Sequence, residues 1–141
     1  MGIVAAAATL GVLVGFGAAQ GAWLQPLNAV AHLVVGSRAF VMDEFDPAVT
    51  TIALAIHVVS IVLWATLFTV VAGRLRGWWV AVAAAVLAGA AYLVDQRLTP
   101  AHLAPGFERT LSTPETIAVY VVFAAALVVG VHYAREAEEH A

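Results

Sequence analysis

Residues 47–73 read PAVTTIALAIHVVSIVLWATLFTVVAG, and no charged residue occurs from Val49 to Gly73. A helix needs about 20 consecutive apolar residues to cross the hydrocarbon core of a bilayer. This stretch meets that length and is apolar all round, unlike a membrane-barrel strand, which alternates polar and apolar residues over about ten positions. The pattern repeats on either side. Gly2–Leu24 carries no charge, Trp78–Val94 is a shorter apolar run that depends on its flanks to complete a crossing, and Thr116–Tyr133 is apolar except for His132. The predicted fold is all-α: a polytopic four-transmembrane-helix bundle, one membrane domain over 1–141, with helices at about 2–24, 47–73, 78–95 and 114–134.

Composition agrees. Of 141 residues, 63% are hydrophobic and 11% charged, against roughly 45–50% and about 25% in soluble domains. Too few polar side chains exist to cover a small soluble fold. The net charge is −3 and no basic run is present, so nucleic acid is not an expected partner. All six basic residues are Arg, and there is no Cys, which removes disulfides, thiolate–metal ligation and thiol catalysis together. The first run lacks a basic segment before it and exceeds the usual apolar core of a signal peptide, so it reads as a retained helix.

The helix punctuation is legible. Asp46-Pro47 reads as N-cap and first helical residue, and Thr113-Pro114-Glu115 repeats the device for the fourth helix, with Glu115 at the positive end of the dipole. Arg74 and Arg76 are expected to serve the negative end of the second helix. The short turn Gly73–Gly77 makes helices two and three antiparallel neighbours. Gln25–Phe45 is expected to form a short interfacial helix rather than a continuation of helix one past a Pro26 kink. In Asp95–Ser112, Thr99-Pro100 reads as the start of a single helical turn and Pro105-Gly106 as a type II turn. The charged segment Arg135–His140 reads as a frayed helix end.

Arginines divide evenly between the two sides: Arg74, Arg76 and Arg135 against Arg38, Arg97 and Arg109. Two of them within one five-residue turn place both termini on the cytoplasmic side. Trp78, Trp79 and Tyr133 form one expected aromatic belt, and Trp23, Tyr92 and Tyr120 the other.

Two constellations stand out. Gly11 and Gly15, and Gly17 and Gly21, have GxxxG spacing, which permits close helix approach. The four are read as helix-packing residues, either within the bundle or toward a second chain. On helix two, Thr50, His57 and Trp64 recur every seven residues and Ser60 lies one turn from His57, so the four share a polar face directed at protein or a water pocket. His57 is either a neutral histidine donating to a neighbouring helix, a proton relay, or a single-residue ligand for a haem- or chlorophyll-type cofactor. A two-histidine clamp fails on depth: at ~1.5 Å rise per residue, His57 lies roughly 15 Å below the start of its helix and His132 roughly 27 Å below the same interface, with His32 at that interface.

No other catalytic or metal-ligating grouping is legible, and no cofactor or metal is called for. Asp43, Glu44 and Asp46 read as a solvated capping loop. HExxH, GxSxG and P-loop motifs are absent. No carboxylate falls inside the apolar runs, so the usual mark of an ion-coupled transporter is missing, and helices two to four lack the interior Pro of many broken-helix carriers.

Pro26-Leu27-Asn28-Ala29 with His32, His57-xx-Ser60-xxx-Trp64, Arg97-Leu98-Thr99-Pro100, and Pro105-Gly106-Phe107-Glu108 with Leu111-Ser112 together resemble a group of short, uncharacterised bacterial four-helix inner-membrane proteins, over roughly residues 20–130. The resemblance implies a multi-pass protein of the inner (cytoplasmic) membrane and carries no catalytic residue with it. The expected role is that of a non-enzymatic accessory or scaffold subunit whose partners are the lipid bilayer and other membrane-protein subunits or a second copy. The alternatives are a small oligomeric transporter or channel with a polar path at His57 and Ser60, or a carrier using His57.

Overall fold

A computed structural model describes residues 1–139. Among these the chain is helical with no strand. Four helices are long and apolar enough to cross a membrane: α1 (Gly2–Ala19), α2 (Pro47–Ala72), α3 (Trp78–Leu93) and α4 (Thr113–Glu139). Around the bundle the order is α2–α1–α4–α3, and α3 also touches α2. Met1, Gly73–Gly77 and the distal part of α4 meet at one end: Met1 lies against Gly130, and Arg135 against Ala72 and Leu75. The other end holds the two long connections.

Local chemistry explains the boundaries. The Asp46 carboxylate accepts hydrogen bonds from the Ala48 and Val49 N–H groups at 2.9 and 2.8 Å, and Pro47 needs no donor there, so α2 starts where the cap and the proline agree. The cap of α4 falls one residue earlier than predicted. Ser112, not Thr113, precedes the helix, and Glu115 accepts from the Ser112 N–H and Oγ at 2.8 and 2.6 Å, the return half of a capping box.

The first helix ends at Ala19, short of the predicted Leu24. Gly21 takes φ +77, while the Gly21 and Ala22 N–H groups donate back to Ala18 and Gly17 carbonyls at 3.1 and 2.8 Å. This is a Schellman ending, with Gly21 as the left-handed residue past the cap. The third helix runs the other way. A π-helical turn over Val94–Leu98 extends the apolar crossing to Trp78–Leu98 and draws Asp95 into the helical fold. At the C-terminus of α2, the cation is not Arg74 or Arg76, which are both exposed, but Arg135 of α4, whose guanidinium donates to Ala72 O and Leu75 O at 3.0 and 2.8 Å. The helix α4 continues through the Arg135 end as far as Glu139; His140 lies outside the described residues.

The segment predicted to lie at an interface packs its first turns on the bundle. It forms successive helical turns at Gln25–Asn28, Ala29–Ala31, His32–Val35 and Gly36–Val41. Leu24 and Pro26 through His32 are buried, packed on α1, α2 and the Phe107–Arg109 turn. Gly17 makes room for it: a Cβ there would stand 2.7 Å from both Ala22 O and Trp23 O. The Pro100 turn forms, with Leu103 and Ala104 N–H groups donating to Pro100 O, and Gly106 adopts the positive φ (+94) that its turn requires.

Outside these contacts the bundle is apolar. Only 17 to 33% of each candidate span is buried within the chain. Leu63, Val70, Val86 and Val121 are among the large side chains that face outward. A soluble monomer rarely exposes contiguous apolar surface on this scale.

Candidate functional site

The predicted polar face of α2 meets three different environments. At the top, the Thr50 hydroxyl donates to Asn28 Oδ1 at 2.9 Å and accepts from the Asp46 N–H at 3.1 Å. Asn28, 0% exposed, uses its Nδ2 to donate to Met42 O and Glu44 O at 3.0 and 2.9 Å. The amide is therefore satisfied on both sides and pins the irregular 42–46 backbone to α2. Thr50 belongs to that staple and does not line a polar path.

Two turns deeper, His57 (6% exposed) reaches across to α1. Its Nε2 lies 3.1 Å from Ala6 O and 3.1 Å from Thr9 Oγ1, and the Thr9 hydroxyl is 2.9 Å from Ala5 O. These contacts assign the proton to Nε2, which donates to Ala6 O, while Thr9 donates to Ala5 O. His57 has the geometry of a neutral, helix-bridging histidine.

The remaining two residues of the row, exposed Ser60 and half-buried Trp64, line a cavity of about 140 Å³ together with His57. Its other polar lining comes from Thr9, Asp95 and Tyr120, and its apolar wall includes Phe107 and Phe123. The connecting segments contribute Val30, Leu33, Leu103 and Pro105. The Tyr120 hydroxyl donates to Asp95 Oδ2 at 2.8 Å. Tyr120 packs edge-on against Tyr92 with centroids 5.3 Å apart and lies 6.2 Å from the Phe107 ring. Tyr120 is thus a buried cavity residue, and with half-buried Tyr92 it turns inward; neither belongs to an outward aromatic belt. Trp23, Trp78, Trp79 and Tyr133 are exposed as a belt requires.

Asp95 and Tyr120 are the site residues that the apolar pattern missed. The apolar run stops at Val94, which puts Asp95 at the boundary between the predicted helix 78–95 and the loop that follows. The available clue was the shortness of that run, since completing a crossing requires the flank Asp95–Leu98 to be helical. Glu108 acts on Asp95 through its charge, and its Oε2 is buried without a hydrogen-bond partner among the described residues.

His32, His57 and His132 are not brought together. His32 is buried: its Nδ1 donates to Ala29 O at 2.9 Å and its ring packs on Phe40, which also lies under the Arg109 guanidinium. His132 is exposed and sits 3.2 Å from Glu136. Among the described residues no cluster of three or more His, Cys, Asp or Glu could hold a metal ion.

The glycines separate as well. Gly11 and Gly15 are exposed, and a Cβ on either would meet nothing within 4 Å. They do not pack within the bundle. Gly17 packs against its own following segment, and Gly21 terminates the helix.

The class defined by this architecture is an all-helical bundle with four candidate membrane-spanning helices, as in multi-pass membrane proteins. No protein family, curated protein or solved structure matches the chain.

Proposed function

We propose that this is a multi-pass protein of a bacterial inner membrane, with both termini cytoplasmic, that serves as a non-enzymatic accessory subunit by packing against another membrane protein or a second copy through α1. The observation that carries this reading is the open face at Gly11 and Gly15, where backbone is bared and no element of the same chain covers it. In hydrocarbon, helix association draws on close van der Waals contact, which such positions favour. The polar groups of the α1–α2 contact, Thr9 and His57, hydrogen-bond between the two helices and support a structural role for them. The test is purification from native membranes in mild detergent: the wild type is expected to co-purify with a partner or as an oligomer, and Gly11→Leu or Gly15→Leu to release it without loss of insertion. A solitary wild-type monomer overturns the proposal.

A second reading is favoured by the cavity. A pocket lined by Ser60, Asp95 and Tyr120 within an otherwise apolar bundle suits binding or passage of a small molecule. Flux through liposomes should fall when Ser60→Leu fills the pocket; equal flux from empty and protein-bearing vesicles removes passage, and ligand titration then tests binding alone.

A further inference from the structure

We infer that the cavity between α2, α3 and α4 is a binding site for a small organic cation, an amine or methylated ammonium group, with the Asp95 carboxylate as counter-ion and the rings of Trp64, Tyr120, Phe107 and Phe123 as its wall. The inference rests on the second reading above and names its ligand class.

Charge sets the sign of the ligand. Asp95 is the charged residue of the lining, and none of the six arginines lines the cavity. Among the described residues the only salt-bridge contact is His132 with Glu136, far from this site in sequence and at the opposite end of α4. The Asp95 side chain accepts from the Tyr120 hydroxyl at Oδ2. Glu108 adds a second negative charge nearby. An anion would be repelled, and a neutral apolar guest would leave the carboxylate uncompensated in an apolar wall, which is costly. A divalent metal ion demands several oxygen or nitrogen ligands, and the described residues supply no such cluster.

The wall sets the kind of cation. Four aromatic rings border the space that the carboxylate faces, and aromatic faces attract organic ammonium groups, most strongly where water is excluded. The size is right for such a group: about 140 Å³, against the ~150 Å³ of an engineered apolar cavity that admits benzene. The exposed lining residues Leu33, Leu103 and Ser60 mark where the cavity reaches the surface.

The experiment uses the full chain, labelled with ¹⁵N, in nanodiscs, and follows the Trp64 indole N–H resonance during titration with tetramethylammonium chloride, with sodium chloride as the ionic-strength control. Neopentane, the uncharged isostere, is titrated in parallel. The expected result is saturable tetramethylammonium binding at least tenfold tighter than neopentane, and at least tenfold weaker in Asp95→Asn, with surface Asp43→Asn unchanged. The charge selectivity of the wild type is decisive even where Asp95→Asn does not fold. Neopentane binding as tightly as, or more tightly than, tetramethylammonium overturns the ligand class and leaves the cavity reading standing; saturation by neither overturns both. Nanodiscs of phosphatidylcholine and of phosphatidylglycerol separate the sources. Suppression of tetramethylammonium binding in phosphatidylcholine alone supports the site with a lipid headgroup as its cation, and equal binding in both supports the site with a free amine.

Discussion

The two ends of the bundle solve the same problem in opposite ways. Around Gly73–Gly77 the chain reverses in five residues, and the helices are held by small side chains: Ala65, Ala72, Ala84, Ala88 and Ala126 interleave with Phe68, Phe123 and Leu127. Among the described residues, the buried polar side chains lie at the other end or, as Thr9 and His57, midway; closer to the turn, the Arg135 guanidinium on two carbonyls links α4 to α2. At the other end the backbone is irregular, and each bend needs its own partner. Asn28, Thr50, His32 and Ser112–Glu115 supply them. Regular helix satisfies its own backbone and needs only shape to pack, whereas non-helical chain inside an apolar bundle needs side-chain donors and acceptors. The cavity lies on the side where that irregular chain closes over the helices.

On this contrast the largest effect belongs to Asn28→Ala, which strands Met42 O and Glu44 O and leaves the Thr50 hydroxyl without its acceptor. A loss of roughly 4 kcal/mol is expected in an unfolding titration from mild detergent into sodium dodecyl sulfate. Gly106→Ala comes next, at roughly 3 kcal/mol, because a Cβ would sit 2.5 Å from Ala29 O on a backbone with φ +94. Thr9→Val removes one partner of the α1–α2 bridge and should cost about 1 kcal/mol, the scale of interhelical hydrogen bonds in membranes; a double-mutant cycle with His57→Leu should show that the two losses are not additive. Gly11→Ala should change stability by less than about 0.5 kcal/mol, since its Cβ meets open space. Equal costs for Asn28→Ala and Gly11→Ala would contradict an irregular end that depends on its side-chain partners.

The helices were readable because length and all-round apolarity are properties of a segment by itself. Pro47 and Asp46 marked the start of α2 for the same reason. What failed depended on neighbours. Gly17 and Gly21 have the spacing of a packing motif, yet both a helix contact and a left-handed cap select glycine for its missing Cβ, and the sequence does not separate them. Thr50, His57, Ser60 and Trp64 do share a side of α2, but successive levels of that side meet the 24–31 segment, α1 and the cavity. One helix does not state what stands opposite it. Asp95 was legible only by treating the shortness of the third apolar run as a deficit to be filled, and its partner Tyr120 lies 25 positions away.

The chain contains no cysteine, so single substitutions can report which surfaces meet water. Leu63→Cys and Val86→Cys lie at outward positions midway along α2 and α3, 66% and 67% exposed from the chain itself; Ser37→Cys and Arg76→Cys lie at the opposite ends of the bundle. Thiols react with maleimide as thiolates, which hydrocarbon disfavours. With a membrane-impermeant maleimide, four membrane crossings require Ser37→Cys and Arg76→Cys to label from opposite sides (on the proposed cytoplasmic termini, Ser37→Cys on intact cells and Arg76→Cys only once the cells are opened), and Leu63→Cys and Val86→Cys in neither state until detergent is added. Labelling of Leu63→Cys and Val86→Cys in native membranes at the rate of Ser37→Cys would contradict a bilayer around these helices.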